Sequence, residues 1–212
     1  MKPAEHKAIK LLYGLGTLFF MLWGAISLSI GDIELVYDRF FTALLFFIGL
    51  VLYRRLHLRI PVVLFSIAAF TLHHLKLYGQ TYFGWLEFDM LMHVVAGAAI
   101  TMVAYSWLSK EESWSTLKVA LIAALIAAGI ASLNEMIEYF GYAFLGSGEG
   151  LLFYGVGDFG EYADTALDLL SNAVGAVIGA CAMAALSKRG FIKEEKDTEQ
   201  GNHEKRKIAL RG

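Results

Sequence analysis

A single cysteine, Cys181, and a charged fraction of only 18% set this 212-residue chain apart from ordinary soluble domains. With one thiol no intrachain disulfide can form, and a lone cysteine inside an apolar run reads as a small packing residue. The charges are too few to cover a water-facing surface, because 57% of the residues are hydrophobic and the mean hydropathy is +0.55. Also missing are a serine or cysteine nucleophile motif, a phosphate-binding glycine loop, a dinucleotide fingerprint and a paired-cysteine metal motif. The string LYGLG at 12–16 lies inside an apolar run with no strand before it. A net charge of −2 offers no basis for a nucleic-acid partner.

What is present is length of apolar run. A spanning helix needs about 20 mainly apolar residues. Six windows satisfy this, near 9–31, 38–56, 60–79, 89–108, 117–145 and 162–187. The expected fold is therefore all-α, a polytopic membrane helix bundle of about six transmembrane helices over residues 1–187. The charged segment 188–212 is expected to be a cytoplasmic tail, disordered or loosely surface-bound. The first window follows Lys2, Lys7 and Lys10 and is too long for a cleavable signal, so it reads as a retained signal-anchor.

Cytoplasmic loops retain lysine and arginine. Of the 18 basic residues, only Arg39 and Lys76 fall on one side of the alternation. The expectation is a multi-pass cell-membrane protein with both termini in the cytoplasm and the turns near 32–38, 79–88 and 146–161 outside.

Ionisable residues inside spans are expensive, and those that persist face a bundle interior, pair, or serve a site. Here they are numerous. His73, His74 and Lys76 lie in the third window, Asp89 and His93 in the fourth, Asn134, Glu135 and Glu138 in the fifth, and Asp164, Asp168 and Asn172 in the sixth. Asp89 with His93 and Asp164 with Asp168 are four apart, Glu135 and Glu138 three apart, so each pair can share one helix face. At about 1.5 Å per residue, Glu135 sits roughly 27 Å and His73 roughly 20 Å above the inner boundary. The downward-running fourth and sixth spans open with their acidic residues. Four helices thus place carboxylates and imidazoles at one level, in the outer third of the membrane.

Unpaired carboxylates in a low-dielectric space repel one another. Divalent cations, shared protons, or pairing with Arg39, Lys76 and helix amides would relieve them. A structural account also exists, since acidic residues in a first turn complement the helix dipole. It covers Asp89 and Asp164 better than Asp168, His93 and the two glutamates, which lie a turn or more inside.

Weaker features accompany this set. The stretch GSGEGLLFYGVGDFG suits a re-entrant or lid segment, or a flexible interfacial loop. Gly175 and Gly179 are spaced for close helix packing within the chain. Tyr82, Phe83, Trp85, Tyr139, Tyr142 and Tyr154 suit an aromatic belt.

Phe88, Asp89, His93 and Gly97, the NEMIEYF stretch and the segment YADTALDLLSNAVGAVIGA together resemble the YjdF-like multi-pass membrane proteins of prokaryotes, themselves loosely VanZ-like. The resemblance covers about residues 60–187. It implies a grouping around Asp89, His93, Glu135, Glu138, Asp164, Asp168 and Asn172, and no activity.

From the residues themselves the leading expectation is a divalent-metal site near the outer face, with Asp89, His93, Glu138, Asp164 and Asp168 as ligands and His73, His74, Asn134 and Asn172 lining it. Zn²⁺ would draw on His93, whereas Mg²⁺ or Mn²⁺ would accept the oxygens alone. Glu135 or Glu138 would accept a proton from water during hydrolysis or transfer of a lipid-linked headgroup, with membrane lipids as partners. A cation or proton transporter using the same cluster is the main alternative. Against it, the polar residues largely stop below Asn172, where the sequence reads AVGAVIGACAMAAL, and across the inner half of the fifth span. A non-catalytic accessory subunit docking a partner through its tail is the third reading. Oligomeric state is not encoded in any of these features.

Overall fold

The computed structural model describes residues 3–31, 36–75, 81–82, 86–111, 113–145 and 161–188. The tail after Lys188, the glycine-rich stretch 146–160, Lys76, Phe83 and Trp85 lie outside the described residues. Among the described residues six helices follow one another: α1 Pro3–Ser29, α2 Val36–Leu52, α3 Ile60–His73, α4 Phe88–Leu108, α5 Thr116–Leu145 and α6 Glu161–Lys188. Between α3 and α4, β1 Thr81–Tyr82 and β2 Leu86–Glu87 pair antiparallel, with Thr81 opposite Glu87. The protein is an all-α membrane helix bundle.

Segments Pro3–Ser29, Phe88–Leu108, Thr116–Phe140 and Asp164–Ser187 are each long and apolar enough to cross a bilayer alone. The other two helices are shorter than their apolar windows. With 17 residues in α2 and 14 in α3, they rise about 25 and 21 Å, less than the roughly 30 Å hydrocarbon core. Hydropathy reads through the turn between them because Tyr53, Leu56 and Leu58 are themselves apolar and pack inward. That turn is a Schellman closure: Leu58 N–H donates to the Tyr53 carbonyl at 3.0 Å, and His57 N–H to that of Arg54 at 3.3 Å. His57 takes the left-handed position (φ 53°) that glycine usually fills. Pro61 then starts α3, where its missing N–H costs nothing. In the opposite sense, α1 begins before its apolar window, and Glu5 on that extra turn pairs with Arg59 at 3.3 Å.

Packing follows the logic of a bundle in lipid: small residues inside, large ones out. Along α5 the buried stripe is Ala123, Ala127, Ala131, Glu135 and Glu138, while Leu121, Leu125 and Leu133 are exposed. α4 and α6 form the most extensive contact, flanked by α5; α1 packs on α2, and α3 joins the two groups through α4. The α4–α6 contact is backbone on backbone. A Cβ at Gly97 would strike the Asn172 carbonyl, at Gly175 that of Val94, and at Gly179 that of Ala98. Gly175→Ala is accordingly expected to cost about 1–3 kcal/mol, the usual range for overpacking. Gly129→Ala, with open space around it, should be neutral or slightly stabilising. Thermal midpoints in detergent measure both, and equal midpoints would show that the α4–α6 spacing does not depend on these glycines.

The two ends of the bundle differ in character. One holds the apolar core, in which Ile9, Tyr53, Leu58, Val63, Leu108 and Val119 are buried together. Buried hydroxyls near it are satisfied by their own helix: Thr101 donates to the Gly97 carbonyl at 2.8 Å, Ser106 to that of Met102 at 2.8 Å and Ser66 to that of Val62 at 2.9 Å. The other end, where α4 and α6 begin and α5 finishes, collects the ionisable side chains.

Candidate metal centre

His93 sits on the second turn of α4, facing α6. Its orientation is set by Asn172, which the glycine contact at Gly97 brings close. The Asn172 Nδ2 amide lies 2.7 Å from His93 Nδ1 and also donates to the Asp168 carbonyl at 3.0 Å. A carbonyl can only accept, so nitrogen is the amide atom on that side, and its second hydrogen goes to Nδ1. The imidazole therefore carries its proton on Nε2.

Around that ring stand carboxylates from three helices. Asp168 Oδ1 is 3.5 Å from Nε2, Asp89 Oδ1 3.7 Å from Nε2, and Glu135 Oε1 3.8 Å from Nδ1. These separations exceed a normal hydrogen bond. One donor-capable atom cannot satisfy so many acceptors. Glu138, one turn from Glu135 on the same buried face, has its Oε1 held by the Asn134 Nδ2 amide at 2.6 Å. Among the described residues no lysine or arginine pairs with Asp89, Glu135, Glu138 or Asp168.

The donor atoms gather into two sets, each within 4.8 Å: His93, Glu135, Glu138 and Asp168, and then Asp89, Asp164 and Asp168. All of the first set is buried, and Asp89 and Asp164 are half-buried. Glu135 is 7% exposed, and its Oε1 is a buried oxygen with no hydrogen-bond partner. A carboxylate oxygen left bare at that depth costs free energy that a ligand would recover.

His73 and His74, expected to line this site, engage α2 and α1. His73 Nε2 meets Asp38 Oδ2 at 3.0 Å, and His74 Nε2 meets Thr42 Oγ1 at 3.0 Å. The His74 ring packs on Phe20 and Trp23. Arg39 donates to Ser27 and lies 4.6 Å from the centre of the Trp23 ring. Sequence reasoning did not single out Asp38, Thr42 or Ser27. Their signal is an adjacent acid and base opening an apolar window, with a hydroxyl one turn later.

No curated protein and no solved structure matches the chain. A family model does, and its match includes all of the 60–187 stretch on which the sequence resemblance rests. Its description carries membrane residence, without the YjdF-like or VanZ-like grouping. The chain belongs to the family described as Predicted membrane protein (DUF2238), matched over residues 9–189.

Proposed function

We propose that the protein binds divalent cations of the Mg²⁺ or Mn²⁺ class in this pocket and uses them to hydrolyse or transfer a lipid-linked headgroup at the extracytoplasmic face of the cell membrane. The observation that carries the reading is Glu135, whose bare buried oxygen points into a carboxylate set assembled from three helices. The donor chemistry supports a hard cation. With Nδ1 accepting from Asn172, Nε2 has no lone pair to offer, and Zn²⁺ at that nitrogen would require the amide to reverse and give up the Asp168 carbonyl. Glu135, Glu138, Asp168, Asp89 and Asp164 supply oxygens, which Mg²⁺ and Mn²⁺ prefer.

A bound cation would polarise an ester or phosphoryl oxygen and favour deprotonation of water. The chain's own groups are suited to the remaining tasks. Asn134 orients Glu138, Asn172 orients His93 toward Asp168, and the free oxygen of Glu135 is placed to accept a proton. The charge asymmetry of the loops supports an extracytoplasmic placement of the site. His93 lies about 8 Å from the start of α4 and Asp168 about 10 Å from that of α6, a depth accessible to a headgroup from the side. A cation conduit is disfavoured because the hydroxyls beyond the pocket bond within their own helices and the apolar core follows.

Elemental analysis after Mn²⁺ loading and gel filtration tests this. The native protein in detergent should retain the metal, and a Glu138→Ala, Asp168→Ala double variant should lose it. Equal metal in both would remove the cation site. Mn²⁺-dependent release of headgroup phosphate from lipid phosphate esters tests the chemistry, and a loaded protein inert toward them would leave binding without hydrolysis.

A further inference from the structure

We infer that Asn172 is a positioning residue that sets the cation preference of the pocket: its amide fixes the His93 tautomer so that the imidazole presents a proton rather than a lone pair, and the ion is left to oxygen ligands. The inference rests on the cation-binding reading above and assigns what governs its choice of metal. An imidazole that ligates a metal gives its other ring N–H to an acceptor, whether carboxylate, backbone carbonyl or water. His93 has the reverse arrangement. Its Nδ1 faces a donor, the Asn172 Nδ2 amide at 2.7 Å, so the hydrogen stays on Nε2, the nitrogen turned toward Asp168 and Asp89. Glu135 Oε1 is 3.8 Å from Nδ1, too far to draw the proton to that side.

The amide is held against turning over. Its Nδ2 also donates to the Asp168 carbonyl at 3.0 Å, a main-chain oxygen fixed by α6, and reversal would set oxygen against oxygen there. Asn172 is 3% and His93 8% exposed, and the backbone contacts of Gly97 with Asn172 and of Gly175 with Val94 bracket the pair. The other donors of the fully buried set, Glu135, Glu138 and Asp168, are all carboxylates, and the bare Glu135 Oε1 is the oxygen that calls for an occupant. Withholding the imidazole removes the ligand that Zn²⁺ favours and costs Mg²⁺ or Mn²⁺ little. A carboxylate at position 172 would reverse this logic. It can only accept, so Nδ1 would carry the proton, Nε2 would gain a lone pair beside Asp168, and a carboxylate–histidine–metal arrangement would be complete. Gly97 touches the main chain of residue 172, so the change leaves the helix spacing in place.

Metal-stripped full-length protein in detergent micelles, dialysed to equilibrium against MnCl₂ and ZnCl₂ together and read by elemental analysis, gives the ratio of bound Zn²⁺ to bound Mn²⁺. Asn172→Asp should raise that ratio at least about tenfold over native, the usual scale for a partner of a ligating histidine. Asn172→Ala removes the amide without adding charge; it should raise the ratio by about threefold and decides the matter if the aspartate variant folds poorly. Zn²⁺ taken up by other histidines, His203 among them, is a background common to native and variants. Electron spin-echo envelope modulation of the bound Mn²⁺ supplies a readout that a merely structural role would not move: no directly coordinated imidazole nitrogen in the native chain, and a coordinated one in Asn172→Asp. An unchanged ratio in both variants, with metal still bound, would overturn the role of Asn172 and leave the cation site standing. Directly coordinated nitrogen in the native protein would overturn the tautomer that the amide is inferred to impose. A native chain that retains neither metal would remove the parent reading with it.

Discussion

Replacing Asp168 with asparagine is expected to raise the thermal midpoint of the metal-stripped protein while abolishing the rise that Mn²⁺ gives the native chain. The two effects have opposite signs because they come from the same charge. Without a cation, Asp168 adds a further carboxylate to a buried group that has no lysine or arginine partner among the described residues. Two unit charges 4 Å apart interact by about 4 kcal/mol at an effective dielectric of 20. Relieving part of that should return about 1–3 kcal/mol, or roughly 2–10 °C for a chain of this size. With Mn²⁺ at a hundred times its dissociation constant, native binding should add about 2.7 kcal/mol, and the variant should gain almost none. Differential scanning fluorimetry in detergent, with and without Mn²⁺, reads both quantities. An equal Mn²⁺ shift in the two proteins would sink the assignment of Asp168 as a ligand.

Arg39→Ala should be the most destabilising single change outside the pocket, by about 3–5 kcal/mol. Arg39 is 1% exposed, donates to Ser27 and stacks over Trp23, so its loss removes a filled volume and a cation–π contact together. It also strips positive charge from beside Asp38, which is 2% exposed and bonded to His73. Arg39→Lys keeps the charge but loses the planar fork, and should fall between the two. Thermal midpoints and the yield of monodisperse protein after detergent extraction give the comparison. A midpoint for Arg39→Ala within about 2 °C of native would mean that the bundle does not depend on this contact.

Hydropathy alone carried most of the architecture, because lipid demands both length and apolarity of a spanning helix. The windows near 89–108, 117–145 and 162–187 match α4, α5 and α6 to within a residue. Where the sequence misled, the cause is local. The window at 38–56 runs past the end of α2 because Tyr53, Leu56 and Leu58 in the closing turn are apolar and pack inward, and hydropathy does not register a left-handed residue such as His57. Helical spacing placed the acidic pairs on common faces, and inter-helix height brought Asp89, His93, Glu135, Glu138, Asp164 and Asp168 to one level. Azimuth was out of reach. Which way His73 and His74 turn depends on whether α3 presents that face to α4 or to α2, and contacts such as Asp38 with His73 set it. The part played by Asn172 was equally hidden, because it follows from the glycines that let α4 and α6 touch.

Those glycines have a mechanical consequence. With backbone pressed on backbone at Gly97, Gly175 and Gly179, α4 and α6 have no layer of side chains at these points on which to slide, so any movement should carry His93, Asp89, Asp164 and Asp168 together. Under the proposed function, the movement that admits a headgroup would then fall to α5, whose buried face is smooth alanine below its two glutamates.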